Sequence, residues 1–239
     1  MKKGMVMALS LFWLDGSLFV IAGYENGLAI VARRGADGNW VTLYKHQAHS
    51  QPILSLGVEP GKDYFLTSGA DAIIAKHPIP RTNTAEMSKS GGFDIVTSPL
   101  KIIKTGHSGQ QSLRIRSDGR IFATAGWDSK VRVYSAKTMT ELAVLKWHDA
   151  GCYAAAFSLV SDDSRSNFTT GSKDNTKKSA SGGGGDFTVD SSAPKPKETA
   201  LATIAGDLSV KERRIRRAKE THWLAAGSKD GKISLWDIY

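Results

Sequence analysis

Short runs in which apolar and polar residues alternate recur along the chain, each opened by a turn rich in Gly, Asp or Asn. A period of two predicts strands, because successive side chains of a strand point to opposite faces of a sheet. The clearest run is Lys229-Asp230-Gly231-Lys232-Ile233-Ser234-Leu235-Trp236-Asp237, a tight turn followed by a short strand that closes on Trp-Asp. Sliding it back along the chain finds three further copies, aligned on the turn. The best is Thr124-Ala125-Gly126-Trp127-Asp128-Ser129-Lys130-Val131-Arg132-Val133-Tyr134, with Tyr134 at the Trp position. Ser68 to His77, turning at Asp71, matches less well, and Gly23 to Ala32, turning at Asn26-Gly27, less again.

The order of Gly, turn Asp, alternating apolar residues and Trp-Asp is the tail of a WD40 repeat. Four copies predict an all-β chain, a WD40 β-propeller with about four blades over residues 5–46, 49–104, 107–146 and 148–239. A blade takes about 40 to 45 residues, so a chain of 239 with one long insertion holds four. Most propellers have more, and the expectation is an incomplete, C-terminal part of a seven-bladed ring. The last copy stops at its third strand, and Met1 to Met5 supplies no spare strand to latch it. First and last blades then present unpaired edges, which invite association.

A His precedes each of the last three copies by a strand: His49, His107 in Gly106-His107, and His148. In propellers such a loop His, a strand Ser or Thr, the turn Asp and the Trp form a buried hydrogen-bonded chain, because buried polar groups must find partners. The third copy offers His107, Thr124, Asp128 and Tyr134. The fourth offers His148, Asp230 and Trp236, with Ala226 where the hydroxyl residue belongs, which predicts a shorter chain. The role expected of these residues is structural.

Composition adds little to this picture: 41% hydrophobic and 23% charged residues suit a soluble intracellular domain. Charge adds more. The net charge is +9, and Lys211, Arg213, Arg214, Arg216, Arg217 and Lys219 place six basic residues against Glu212 in one short stretch. That stretch lies in an insertion over 159–220, which passes through Gly182 to Gly185 and Ala193-Pro194-Lys195-Pro196-Lys197 and reads as disordered. Its basic end is rich in helix formers, with Asp207 or Ser209 as a cap. A nuclear import signal, a docking segment for an acidic partner and a phosphate-binding patch compete there with a plain solvated face. No aromatic residues are interleaved to stack on bases.

Chemistry finds no constellation to work with. The glycine run lacks a following Gly-Lys-Ser or Gly-Lys-Thr, and there is no Gly-x-Ser-x-Gly elbow. His46 and His49 form an isolated His-x-x-His with no third ligand at metal-site spacing. The single Cys152 sits in an apolar strand and reads as a buried structural thiol. The expectation is a non-catalytic protein with no cofactor, no metal, no small-molecule substrate and no membrane partner. Trp40 and Trp147 are the aromatic side chains expected at an interface, whereas Trp223, opening an apolar strand, is expected in the core.

The run from Gly106 to Asp128, Val131-Arg132-Val133-Tyr134, Leu145-Lys146-Trp147-His148 and Thr221 to Gly231 resemble the family of fungal ASTRA-associated WD-repeat proteins. The likeness is strongest over 105–157 and 221–239, with a more distant one to the animal guanine-nucleotide-binding protein β-subunit-like proteins. It implies a scaffold subunit of the ASTRA complex, linked to chromatin remodelling and to maturation of phosphatidylinositol-3-kinase-like kinases, with co-chaperone proteins as partners. The same resemblance implies indirect association with chromatin and a location in the nucleus and also the cytoplasm, and it carries no catalytic residues. Two rivals stand beside it. One is direct histone or nucleic-acid binding through the basic insertion. The other is a substrate receptor of a ubiquitin ligase, which commonly has an Arg two residues after Trp-Asp. Lys130 and Tyr239 stand there instead.

Overall fold

A computed structural model of the chain describes residues 4–81, 95–160 and 209–238. It divides into two compact units, Met1–Leu159 with His222–Tyr239, and Val160–Thr221. The first unit is all-β and propeller-like. Its first sheet runs β1 (Val6–Leu14), β2 (Ser17–Tyr24), β3 (Leu28–Arg34), β4 (Trp40–Gln47), and its second β5 (Ile53–Val58), β6 (Tyr64–Gly69), β7 (Ile73–Pro78), β8 (Lys101–Lys104). The third is β9 (Gln110–Ile115), β10 (Ile121–Gly126), β11 (Lys130–Ser135), β12 (Glu141–Lys146). The fourth has three strands among the described residues: β13 (Cys152–Phe157), β14 (Trp223–Ser228) and β15 (Ile233–Asp237). Each sheet is an antiparallel meander in sequence order, as short turns between alternating runs require.

The sheets stack in order, with β5 lying against β1 and β9, and β9 against β13. Alternation then serves two interfaces at once. Phe65 of β6 packs with Phe19, Ile21, Ala29 and Val31 of the first sheet, while the next residue, Leu66, packs with Leu113, Phe122 and Tyr134 of the third. Ala123, Ala125, Val131 and Val133 turn the other face of the third sheet onto Cys152, Ala155, Leu224 and Ala226 of the fourth. Cys152 is fully buried there, and burial pushes its thiol up to about 11, well away from a reactive thiolate.

Two turns show why the local sequence is needed. Asp15-Gly16 joins β1 to β2 with φ of +49° and +72°, the left-handed pair that a two-residue hairpin demands. Gly27, at φ +81°, lies so close to the next loop that a Cβ there would stand 2.0 Å from the carbonyl oxygen of His49.

The second unit holds α1 (Val210–Glu220). Helix here departs from the disorder expected of 159–220 as a whole but lies at the basic end where helix formers and a Ser209 cap were expected, and the reason is local. Ser209 is the N-cap: its hydroxyl accepts from Glu212 N at 3.2 Å, and its own N–H donates to Glu212 Oε2 at 2.8 Å. Asp207 and the rest of the insertion up to 208 lie outside the described residues.

Candidate functional site

The best-formed polar network lies under the loop that joins the first and second sheets. Asp71, in the β6–β7 turn, accepts from His49 Nδ1 at 2.8 Å. His49 Nε2 is 2.9 Å from Thr67 Oγ1, which is 2.8 Å from His77 Nε2. His77 Nδ1 is in turn 2.7 Å from the hydroxyl of Tyr44 on β4 of the first sheet. With Asp71 accepting from His49 Nδ1–H and His49 Nε2 carrying no proton, the bonds run one way along the chain: Tyr44 O–H donates to His77, His77 Nε2–H to Thr67, Thr67 O–H to His49, and His49 Nδ1–H to Asp71. Burial, with His49 and His46 adding to it, pushes His77 down to about 3. His46 takes no part in the chain, since its Nδ1 lies 2.6 Å from the carbonyl oxygen of Thr97.

The third sheet solves the same problem differently. Arg132, 2% exposed, grips Asp128 with two bonds of 3.1 and 2.6 Å and lies 3.5 Å from Glu141. Burial opposes the Asp128 charge, but the Arg132 guanidinium more than offsets it and holds the carboxyl below its ordinary range. His107 is left partly exposed, 4.0 Å from Asp128. Thr124 and Tyr134 are buried, and the Tyr134 hydroxyl makes no hydrogen bond of ordinary geometry among the described residues. Of the four residues expected to form one chain, His107 and Asp128 approach without bonding.

In the fourth sheet His148 Nε2 lies 2.8 Å from Ser234 Oγ, and Trp236 Nε1 donates to the same oxygen at 2.9 Å. Ser234 pairs with Ala226 in the β14–β15 register, so the hydroxyl absent from Ala226 is supplied by the opposite strand. Asp230 stays outside this group, with Lys232 Nζ at 3.2 Å. Sequence reasoning missed Thr67 and His77 in the second sheet and Ser234 in the fourth. The available signal was His77 itself, six residues after Asp71 and able to donate as Trp does.

The remaining expected residues are surface features. Trp40 and Trp147 are both about half exposed, and the Trp147 ring meets His148 edge-on at 4.9 Å. Trp223 is partly buried. Lys211, Arg213, Arg214, Arg217 and Lys219 are exposed on α1, and Arg216 lies within the same helix. Among the described residues no group of three His, Cys, Asp or Glu side chains stands where it could hold a metal ion. No described helix is long and apolar enough to cross a membrane.

Residues 98–135 and 218–237 match the family model described as WD domain, G-beta repeat. Over all 239 residues the chain is 47% identical to the ASTRA-associated protein 1 of Verticillium alfalfae, of which it covers 51%. It is a WD-repeat relative of ASTRA-associated protein 1. The protein of that name from Penicillium rubens is 48% identical, with all of this chain and 56% of the relative aligned. The one from Schizosaccharomyces pombe is 37% identical over 69% of this chain and 47% of the relative. The chain thus spans about half the length of the ASTRA-associated relatives it matches. Among solved structures, the crystal structure of the computationally designed Ika4 protein superposes with a TM-score of 0.56 at 14% identity, covering all of this chain and 94% of that one, a likeness of fold alone.

Proposed function

We propose that the chain is a non-catalytic scaffold, a WD-repeat subunit of the ASTRA complex that acts in chromatin remodelling and in maturation of phosphatidylinositol-3-kinase-like kinases. The observation that carries this reading is likeness along the whole chain to proteins named ASTRA-associated protein 1. The polar networks support a binding role over a catalytic one. His49, Thr67 and His77 are buried and mutually satisfied, so they stiffen a sheet and have no free group to offer a substrate. Partners meet the loops and rim of such a framework, where Trp40 and Trp147 are the exposed anchors. The partners proposed are the protein subunits of the ASTRA and co-chaperone assembly, and the location proposed is the nucleus and cytoplasm. The blade limits at 5–46, 49–104, 107–146 and 148–239 are part of the same reading.

Purification of the tagged chain from fungal cells tests it. The expected result is recovery of ASTRA subunits in amounts comparable to the chain, lost on Trp147→Ala or Trp40→Ala without loss of folding. A folded chain that brings down none of them overturns the proposal. A second reading, direct binding to nucleic acid or histones, rests on the capped basic helix α1. Affinity for DNA that falls steeply with salt and disappears on deleting 211–219 supports it, and affinity that is weak and unchanged by the deletion refutes it.

A further inference from the structure

The third sheet lies between the second and the fourth, so its turns have their neighbours in place on both sides. At the end where β10 turns into β11 it presents two large apolar side chains to solvent, Trp127 and Trp147, which are 45% and 53% exposed. The repeat itself asks for neither. The position before the turn Asp is Ala70 in the second sheet and Lys229 in the fourth, and the position before the loop His is Ala48 ahead of His49 and Gly106 ahead of His107. Exposed Trp that the fold does not use marks an interaction surface.

Trp127 is held in place. Its Nε1–H donates to Gln111 Oε1 at 2.9 Å, and one face of the ring lies on the backbone of Gly109, where a Cβ would stand 2.1 Å from Cε3. The Trp147 ring meets the buried His148 edge-on at 4.9 Å. The loop that follows packs on the β10–β11 turn, since a Cβ on Gly151 would stand 3.0 Å from the Trp127 carbonyl oxygen. Both rings therefore stand at one end of the sheet, Trp127 against its first strand, β9, and Trp147 at the close of its last, β12. Rigid aromatic side chains lose little entropy on binding, which suits them as anchors.

On the way from one ring to the other lie Lys130 and Lys146, directly opposite each other across β11 and β12. Like charges so placed destabilise a sheet. Other sheets avoid the clash at this register, where Ile73 faces Lys104 and Leu28 faces Gln47. Nor does a carboxylate settle the pair. Asp128, 3.9 Å from Lys130 Nζ, is gripped by Arg132 at 2.6 Å, and Lys146 has no ion-pair partner among the described residues. An anionic group set over the two ammonium groups relieves their repulsion.

Spacing shows what fits. From β9 to β12 is three strand spacings, about 14 Å, which an extended chain covers in about four residues. Residues i, i+2 and i+4 of such a chain share one face. We propose that the partner protein bound in the scaffold role above, on which this assignment rests, presents here an extended segment of pattern apolar-x-acidic-x-apolar. Its two apolar side chains meet Trp127 and Trp147, and its central carboxylate meets Lys130 and Lys146. A nucleic acid fits less well, because Asp128, Asp149 and Asp230 lie in the turns at this end and repel a phosphate backbone.

Fluorescence anisotropy of the purified full chain tests this with labelled Phe-Ser-Glu-Ser-Phe, the same peptide with Gln or Lys at its centre, and a single-stranded oligonucleotide, each up to about 1 mM. The expected order is Glu over Gln over Lys, with about 10-fold in Kd between the Glu and Lys peptides at low salt. Trp127→Ala weakens binding of the Glu peptide by about 10-fold. Lys130→Glu with Lys146→Glu reverses the order, and the milder Lys130→Gln with Lys146→Gln makes the Glu and Gln peptides equal, each at an unchanged urea midpoint. No saturable binding, equal binding of all three peptides by the wild type, an order that both double variants leave unchanged, or tighter binding of the oligonucleotide overturns the proposal. In fungal cells, recovery of ASTRA subunits undiminished by the double reversal also overturns it and leaves the scaffold reading standing. Peptide binding in the expected order with no subunit recovered supports the surface and overturns the scaffold reading alone.

Discussion

Replacing Thr67 with Val removes one hydroxyl and breaks two bonds of the buried chain at its centre. The side chain is fully buried, and Val nearly preserves its shape, so no cavity confuses the reading. What remains is His49 Nε2 without its donor at 2.9 Å and His77 Nε2–H without its acceptor at 2.8 Å. An orphaned buried polar group costs about 1–3 kcal/mol, so two cost about 2–6 kcal/mol before the small gain from an added methyl. Against a total stability on the order of 5–15 kcal/mol this is a large fraction. Urea unfolding of the wild type, Thr67→Val and Thr67→Ser measures it, the Ser variant keeping the hydroxyl and costing about 1 kcal/mol. Thr124→Val, at the same register position in the third sheet, costs less than Thr67→Val, because no imidazole is bonded to that hydroxyl among the described residues. A Thr67→Val midpoint within about 1 kcal/mol of wild type, at unchanged slope, would refute the claim that the relay holds the second sheet together.

Acid adds a second test, since His77 titrates at about 3 when folded against 6.5 when unfolded. Between those values the unfolded chain binds the extra proton, so stability is complete above pH 6.5 and falls by about 1.4 kcal/mol per unit as pH drops; His77→Gln loses this slope, and an equal slope in both proteins counts against it. Asp128→Ala leaves the buried Arg132 guanidinium with only Glu141 at 3.5 Å as an ion-pair partner and costs on the order of 2 kcal/mol in urea unfolding, a figure reduced for that remaining partner and for the partial exposure of Asp128. Gly27→Ala, which combines a left-handed φ with a Cβ 2.0 Å from a backbone oxygen, lowers the melting temperature by several degrees, and an unchanged value contradicts the close approach.

The third and fourth repeats are legible in the sequence because each keeps a turn Asp followed by an alternating strand, whereas the first turns at Asn26-Gly27 into a β3 that is buried on both faces and reads as a continuous apolar run. What fills the polar positions is not legible, because three side-chain solutions fit one backbone. In the third sheet Arg132 reaches across the turn to Asp128, and nothing in the spacing separates this Arg from a solvated one. In the fourth, Ser234 supplies a hydroxyl from the strand opposite Ala226, a substitution visible only once register is known. In the second, His77 in the Trp place made the repeat look degenerate, although His can donate one bond and accept another. That second capacity lets the chain extend to Tyr44 and tie the second sheet to the first. The repeat that matches its consensus less well therefore carries the longer network, and the better-matching third repeat has exchanged its network for an ion pair. Conformity to a repeat pattern measures the needs of the backbone, whereas rigidity is set by whether each buried donor meets an acceptor, and the two rank these sheets in opposite order.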